Sequence, residues 1–426
     1  MKTRGAKISK ILPAIIFISL FNLFTTEIFS QEVQKTQHAE SLPDSVETGQ
    51  FEPYKSRKPV YQHILAAPSY LFHAATRPLG MLVKEIEWNY QHILIEGLRT
   101  FVFPTLETGG STSFAFGLTG FHKNLLNTGH NIDFSGSYGS RDFFSVNFRY
   151  TIPDFLHEKN ELEYFLDHRS NPFESFFLSD IENRDEAKRR FADLEFETGV
   201  SLKWHHMDWF TTKYRLSYKR VNMRSIDEEN TLTPQDVEGF GVSKYFISNA
   251  DFIIDKRAGE VRLDRGYHLT FSGGYGRQID GKEFDFFRYL TEANLLVPLQ
   301  RGRRFVIKGL IERYESTEAG TVPFFELPNL GANNRLRGFP NRRFVNRGIL
   351  VLSGEYRYPI WDEFDMVFFW DEGQAFDRFG EVGLGRFKTS AGFGLHVVES
   401  SGVLSKLEFA FSSEEARILF TLSPGL

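Results

Sequence analysis

A chain of 426 residues without cysteine cannot hold a disulfide, a thiolate metal site or a cysteine nucleophile, and it cannot be acylated on cysteine. A formal net charge of −5 offers no basic field and argues against nucleic acid as a partner. Phenylalanine occurs 45 times, yet the mean hydropathy is −0.31; apolar residues diluted in this way suit alternation with polar ones rather than a bundle of membrane helices.

Lys2, Arg4, Lys7 and Lys10 precede an apolar run from Ile11 to Phe24 that Pro13, Ser19 and Asn22 interrupt, and Ser30 stands before Gln31. Basic, apolar, then small is the order of a secretory signal peptide, read here over residues 1–30; the run is shorter than the ~20 residues of a spanning helix. No later stretch is apolar for that length, so the exported chain would enter a second membrane only as a barrel. Residues 31–98 form the next part, a polar lead-in followed by an amphipathic periplasmic helix. Leu79, Leu82, Ile86, Ile93 and Leu98 recur at roughly helical spacing. Such a helix either packs on a neighbour or lies against the inner leaflet or the barrel mouth.

From about Arg99 the apolar period becomes two and stays two. In Tyr267 to Tyr275 the odd positions carry Tyr267, Leu269, Phe271 and Tyr275, against His268, Thr270 and Ser272; in Leu404 to Ser412, Leu407, Phe409 and Phe411 oppose Lys406, Glu408 and Ser412. One face is apolar and the other carries charge. An export signal, strands of tilted-span length and connections that alternate between short turns and long polar loops all point to an outer-membrane barrel rather than a soluble sheet. The short turns are His122 to Gly129, His205 to Asp208 and Gln300 to Arg303; the long loops are Asn171 to Arg190, Asn222 to Gly241 and Glu315 to Gly348. Hairpin counting predicts strands near 111–121, 131–138, 142–152, 160–169, 191–205, 208–220, 243–256, 266–277, 284–297, 303–314, 349–360, 365–376, 387–398, 404–412 and 416–423. A single-chain bacterial barrel has an even number of strands, which requires one more, placed weakly at Arg99 to Leu106. The expected fold is all-β: a 16-stranded antiparallel transmembrane barrel over residues 99–426, with a long loop folded inward.

The last long loop carries Arg335, Arg337, Arg342 and Arg343, with Gly331 and Gly338 allowing tight backbone. In the strand after it, Leu350, Leu352, Tyr356 and Tyr358 share the lipid-facing parity, and Ser353, Glu355 and Arg357 face the lumen. In the next strand, Met366, Phe368 and Trp370 face lipid, and Phe369, Asp371 and Gly373 face inward. Glu355 and Asp371 thus converge from adjacent walls and require a cation; Arg337, with its planar fork, is the residue suited to supply it.

Three stretches resemble one family. Leu336-Arg337-Gly338-Phe339 resembles the loop motif of the BamA/TamA superfamily, the bacterial surface antigen barrels. Ser353-Gly354-Glu355-Tyr356-Arg357-Tyr358-Pro359 and Phe369-Trp370-Asp371-Glu372-Gly373 resemble two of its strands, in the same order and parity. Asn171-Pro-Phe-Glu-Ser-Phe-Phe and Ile254-Asp255-Lys-Arg257 are weaker echoes. The resemblance implies that Arg337, Gly338 and Phe339 latch the loop inside the lumen against Glu355, Asp371 and Gly373, and that the seam between first and last strands is weak. It further implies insertion or translocation of proteins, or handling of lipids, in the outer membrane of a Gram-negative bacterium. The partners would be outer-membrane lipids, lipopolysaccharide and unfolded client proteins, and the barrel would be monomeric, with no nucleic acid bound.

Two departures stand out. The family usually carries N-terminal polypeptide-transport-associated (POTRA) domains, but the stretch from Gln31 to Leu98 reads as helix, so none is expected. The chain also ends at Leu426 rather than at an aromatic residue; Phe420 is the nearest. The competing function is a porin-like or purely structural barrel plugged by the same loop. An enzyme is not expected, and neither a catalytic residue, a metal site nor a cofactor is assigned. His396 and Ser390 read as ordinary lumen residues, and His205-His206 as part of a turn rather than a metal site.

Overall fold

The computed structural model describes residues 100–422 except 109–113, 179–182, 228–229, 259–262, 282, 318–319, 332–334, 362–363 and 400–401. The signal peptide, the lead-in, the helix expected over Leu79 to Leu98 and the C-terminal Leu426 lie outside the described residues.

Sixteen strands among the described residues close into one antiparallel barrel. They are β1 (Thr100–Thr108), β2 (Phe114–Leu125), β3 (His130–Gly139), β4 (Phe144–Pro153), β5 (Glu161–Phe177), β6 (Lys188–Met207), β7 (Phe210–Ser225) and β8 (Gly241–Asp255) in the first half. The second half holds β9 (Gly266–Gln278), β10 (Asp285–Pro298), β11 (Arg304–Ser316), β14 (Gly348–Trp361), β15 (Phe364–Phe376), β16 (Lys388–Glu399), β17 (Gly402–Ser412) and β18 (Ala416–Leu422). Two short strands inside the long loop, β12 (Asn329–Leu330) and β13 (Phe344–Val345), pair only with each other. Each barrel strand is antiparallel to the next, and β18 returns to β1. The weak first strand that an even count required is present.

Alternation sets which side chains face where. Phe305, Ile307, Leu352, Phe368, Trp370 and Phe393 are exposed on the outside, while Val306, Val351, Glu355, Phe369 and Asp371 between them are buried inside. This is the apolar outward band of a membrane barrel around a polar interior.

Two expectations need correction. The stretch Asn171 to Arg190 is not all loop: β5 continues to Phe177 and β6 begins at Lys188. A register shift between Asn171 and Glu174 interrupts the ladder there, and Pro172 sits in it; a bulge breaks the period of two that the sequence reading followed. The outer connections are also not uniformly long, because β3 turns into β4 through Ser140–Asp142 and β17 into β18 through residues 413–415.

Strand height is uneven. β5, β6, β7 and β8 have 17, 20, 16 and 15 residues, against 9 in β1 and 7 in β18. A tilted span takes ~9–11 residues, so the tall wall rises beyond the bilayer on the outer side. Its upper inner face is apolar: Phe176, Phe191, Val221, Met223 and Tyr245 meet Leu232 from the β7–β8 connection and Val322, Phe324, Phe325 and Val345 from the long loop. Phe324 is central, with ring centroids 5.5 Å from Phe176, 5.2 Å from Phe191 and 5.6 Å from Phe240. The loop backbone joins the same layer through Phe324 N to Glu238 O at 3.0 Å and Thr321 N to Glu283 O at 2.7 Å. The outer mouth therefore has a hydrophobic core of its own, and that core holds the base of the inward loop.

Candidate functional site

Below that core the loop makes a hairpin. Asn329 and Leu330 pair with Val345 and Phe344, and Gly331 takes the left-handed conformation, φ 108°, that an L side chain resists. The tip turns again at Leu336 to Phe339, where Phe339 N donates to Leu336 O at 3.1 Å. Leu330, Leu336 and Phe339 are fully buried and pack with Ile349 and Val351 of β14. Two apolar neighbours thus fix the backbone on either side of Arg337 and leave its guanidinium aimed at the wall.

The guanidinium has an acceptor for each of its five N–H groups. Nε and Nη2 take the two oxygens of Asp371 at 2.8 and 2.6 Å, a two-point fork. Nη1 reaches Glu355 at 3.1 Å and Glu408 at 2.8 Å, and Nη2 reaches Ser353 Oγ at 3.2 Å. Its plane lies over Phe369, 3.5 Å from the ring centroid. Burial alone would lower the pKa of Arg337; the bonds to Asp371 and the charges of Asp371, Glu355 and Glu408 outweigh it and raise the pKa above the usual arginine value.

The wall balances its own charge. Glu355 accepts from Lys308 Nζ at 2.8 Å and from Arg357 Nε and Nη2 at 2.9 and 2.6 Å. Asp371 accepts from Ser353 Oγ at 2.6 Å and from Ser390 Oγ at 3.3 Å. Glu408 bonds His396 Nε2 at 3.0 Å. Three carboxylates therefore face Arg337, Lys308 and Arg357, so no buried charge stands alone.

The structure brings all six sequence-predicted site residues together. Glu355 and Asp371 lie within hydrogen-bond reach of Arg337, and Phe339 packs on Phe344 with centroids 5.2 Å apart. The two glycines serve by what they lack. A Cβ on Gly338 would come within 2.7 Å of Ser390 Cβ and 2.9 Å of Phe411 O and Ser412 Cβ, so the tip lies flush on β16 and β17. A Cβ on Gly373 would sit 3.2 Å from both methyls of Leu330. The conformational freedom expected at Gly338 is not what requires it: of the loop's described glycines, Gly331 takes positive φ and Gly338 does not.

The remaining loop arginines go elsewhere. Arg335 bonds Glu312 at 2.7 Å, Arg342 the carbonyl of Phe325 at 3.2 Å, and Arg343 the carboxylate of Glu414 at 2.8 Å. Glu408, Ser353 and Ser390 had not been assigned to the site. Parity already placed Glu408 on a polar strand face, but its reach to Arg337 depends on the register of β16 against β17, where Gly394 stands opposite Glu408 and leaves the space open. His205 and His206 belong to the end of β6 rather than to the turn after it; His206 stacks on Phe210 at 5.0 Å and bonds Thr212 at 2.9 Å. Among the described residues there is no cluster of side chains able to hold a metal ion.

The Omp85 superfamily domain matches residues 124–418. The structure is similar to BamA from Haemophilus ducreyi lacking POTRA domains 1–3, with TM-score 0.57 and 15% identity over 76% of this chain and 69% of that one. It is also similar to CdiB from Escherichia coli, with TM-score 0.51 and 11% identity over 76% of this chain and 62% of that one. CdiB from Acinetobacter baumannii gives TM-score 0.50 and 10% identity, covering 76% and 58%. Identities this low speak for a common fold, and the chain spans less than two thirds of either CdiB. No curated protein matches the sequence.

Proposed function

The chain belongs to the Omp85 superfamily of outer-membrane barrels, and on that premise we propose that it inserts or translocates proteins, or moves lipids, at the outer membrane, with Arg337 latching the loop inside the lumen. The observation that carries this reading is the fully satisfied guanidinium of Arg337 on a loop tip, facing three carboxylates of the barrel wall. A loop that only had to block a pore would need no such fixed point, because its apolar base is already packed into the hydrophobic core at the top of the tall wall. Closure between β1 and β18 supports the reading from another side. Among the described residues it consists of Leu106 with Leu422, Glu107 with Thr421 and Thr108 with Phe420, whereas β1 meets β2 at nine positions, Thr100 to Thr108. A client strand or a lipid would leave sideways through such a seam, past a latched loop. No catalytic step is part of this function.

One set of contacts favours a static plug instead. Lys219 bonds Glu326 at 2.7 Å and Asn341 bonds Glu174 at 3.2 Å, so the loop is tied to the tall wall as well. Depleting the protein and cataloguing the outer-membrane proteome separates the two. Loss of a subset of outer-membrane proteins or a shift in lipid distribution supports the proposed function; an unchanged membrane together with low single-channel conductance supports the plug.

A further inference from the structure

The last hairpin leans on the loop. β18 has seven residues, and on its far side it meets β1 at three positions among those described. The loop reaches this hairpin at four places. Arg337 Nη1 bonds Glu408 of β17 at 2.8 Å. Gly338 lies against Phe411 and Ser412. Arg343 Nε bonds both oxygens of Glu414, in the β17–β18 turn, at 3.0 and 2.8 Å. From the other direction, Arg417 of β18 donates through Nη1 to the backbone carbonyls of Arg337 at 3.1 Å and Phe339 at 2.5 Å.

The Arg417 contact differs in kind from the others. Its acceptors are main-chain oxygens on either side of Gly338, and they converge on one guanidinium nitrogen only while the Leu336–Phe339 turn is folded and docked. Arg417 thus registers the shape of the tip rather than the identity of a side chain. It does so from the one strand whose other edge forms the seam. We infer that Arg417 positions the last strand on the docked loop, so that docking of the loop and closure of the β1–β18 seam form one cooperative unit. This rests on the reading of the loop as a latch.

The chain has no native cysteine, so engineered pairs report cleanly. Glu107→Cys with Thr421→Cys spans the seam at facing positions, and Ser135→Cys with Asn147→Cys spans β3 and β4, away from the loop, as a control. Disulfide yield under mild oxidation in isolated outer membranes is the readout. Arg417→Ala and Arg337→Ala each remove more than one charge-assisted hydrogen bond and are expected to lower the seam yield relative to the control by at least about tenfold, the factor for a single such bond. The double variant is expected to fall no further, because one cooperative unit can be undone only once. Arg417→Lys, which keeps a cation but only a point donor, is expected to recover part of the yield. It also serves as the test variant if Arg417→Ala lowers the control pair too. A seam yield at the parental level in Arg417→Ala, or single losses that multiply in the double variant, would overturn the inference. Seam yield is read without any client, so it can fail while the proteome assay succeeds, and the reverse.

Discussion

Replacing Arg337 with alanine removes five hydrogen bonds and one of the three cations facing Glu355, Asp371 and Glu408. The consequences differ by carboxylate. Glu355 keeps Lys308 and Arg357, and Glu408 keeps His396. Asp371 keeps neutral donors alone, the hydroxyls of Ser353 and Ser390 and, at 3.4 Å, the backbone N–H of residue 337, and it is 1% exposed. A buried charge stripped of its partner costs ~3–5 kcal/mol in a dry site, and less where lumen water enters. The inter-strand ladders are untouched, so the expected result is a released tip on an intact barrel. Trypsin digestion of intact outer membranes checks it: Arg335, Arg342 and Arg343 should become cleavable in the variant, while the folded barrel keeps its heat-sensitive migration on unboiled gels. Arg337→Lys, without the fork, should fall between the two. Adding Asp371→Asn to Arg337→Ala should restore some protection, since it removes the stranded charge. Wild-type protease resistance in Arg337→Ala would refute the assignment of the tip's anchorage to this residue.

Three further outcomes are expected. Gly338→Ala should release the tip much as Arg337→Ala does, because its methyl meets Ser390 Cβ at 2.7 Å and the Phe411 carbonyl at 2.9 Å; unchanged protease resistance would mean that the wall yields. Glu408→Gln keeps the shape and one acceptor for Arg337 but removes a charge, so it should weaken the latch less than Arg337→Ala in the same digestion. Phe324→Ala should destabilise the outer core by ~3–5 kcal/mol, the usual cost of emptying a buried aromatic site, and raise single-channel conductance, while the tip stays protected.

Much of this could be read in the sequence, for one physical reason: on a barrel wall the side-chain period is two, and one face is lipid. Parity placed Glu355 and Asp371 inside from the residue order alone, and the even strand count of a single-chain barrel required a strand at the weak Arg99 to Leu106 stretch, where β1 lies. The reading failed where the period breaks or where contact runs between strands. The bulge at Asn171 to Glu174 hid the upper part of β5 and β6, and with it the tall wall. Glu408 and Arg417 were on legible faces, but nothing in the order of residues says that two hairpins beyond the loop curl back to meet its tip; that follows from closure of the barrel. Gly338 was read as a turn residue, whereas its role is set by a wall more than fifty residues downstream, at Ser390, Phe411 and Ser412.

The loop is held by two kinds of force, and they act on different parts of it. Its base, Val322 to Phe325, is fixed by burying aromatic surface in the outer core, a non-directional force that tolerates small shifts of position. Its tip is fixed by hydrogen bonds that need the donor within a few tenths of an ångström, and those bonds close on wall residues from β14, β15 and β17 together with a cation from β18. A tip anchored in this way is sensitive to small movements of the wall, whereas the base is not. Displacing β17 and β18 would stretch the bonds of Glu408 and Arg417 first, before any aromatic contact in the outer mouth is lost. The aromatic packing at the loop base can therefore persist while the tip responds to the last hairpin, the combination that the proposed sideways exit would require.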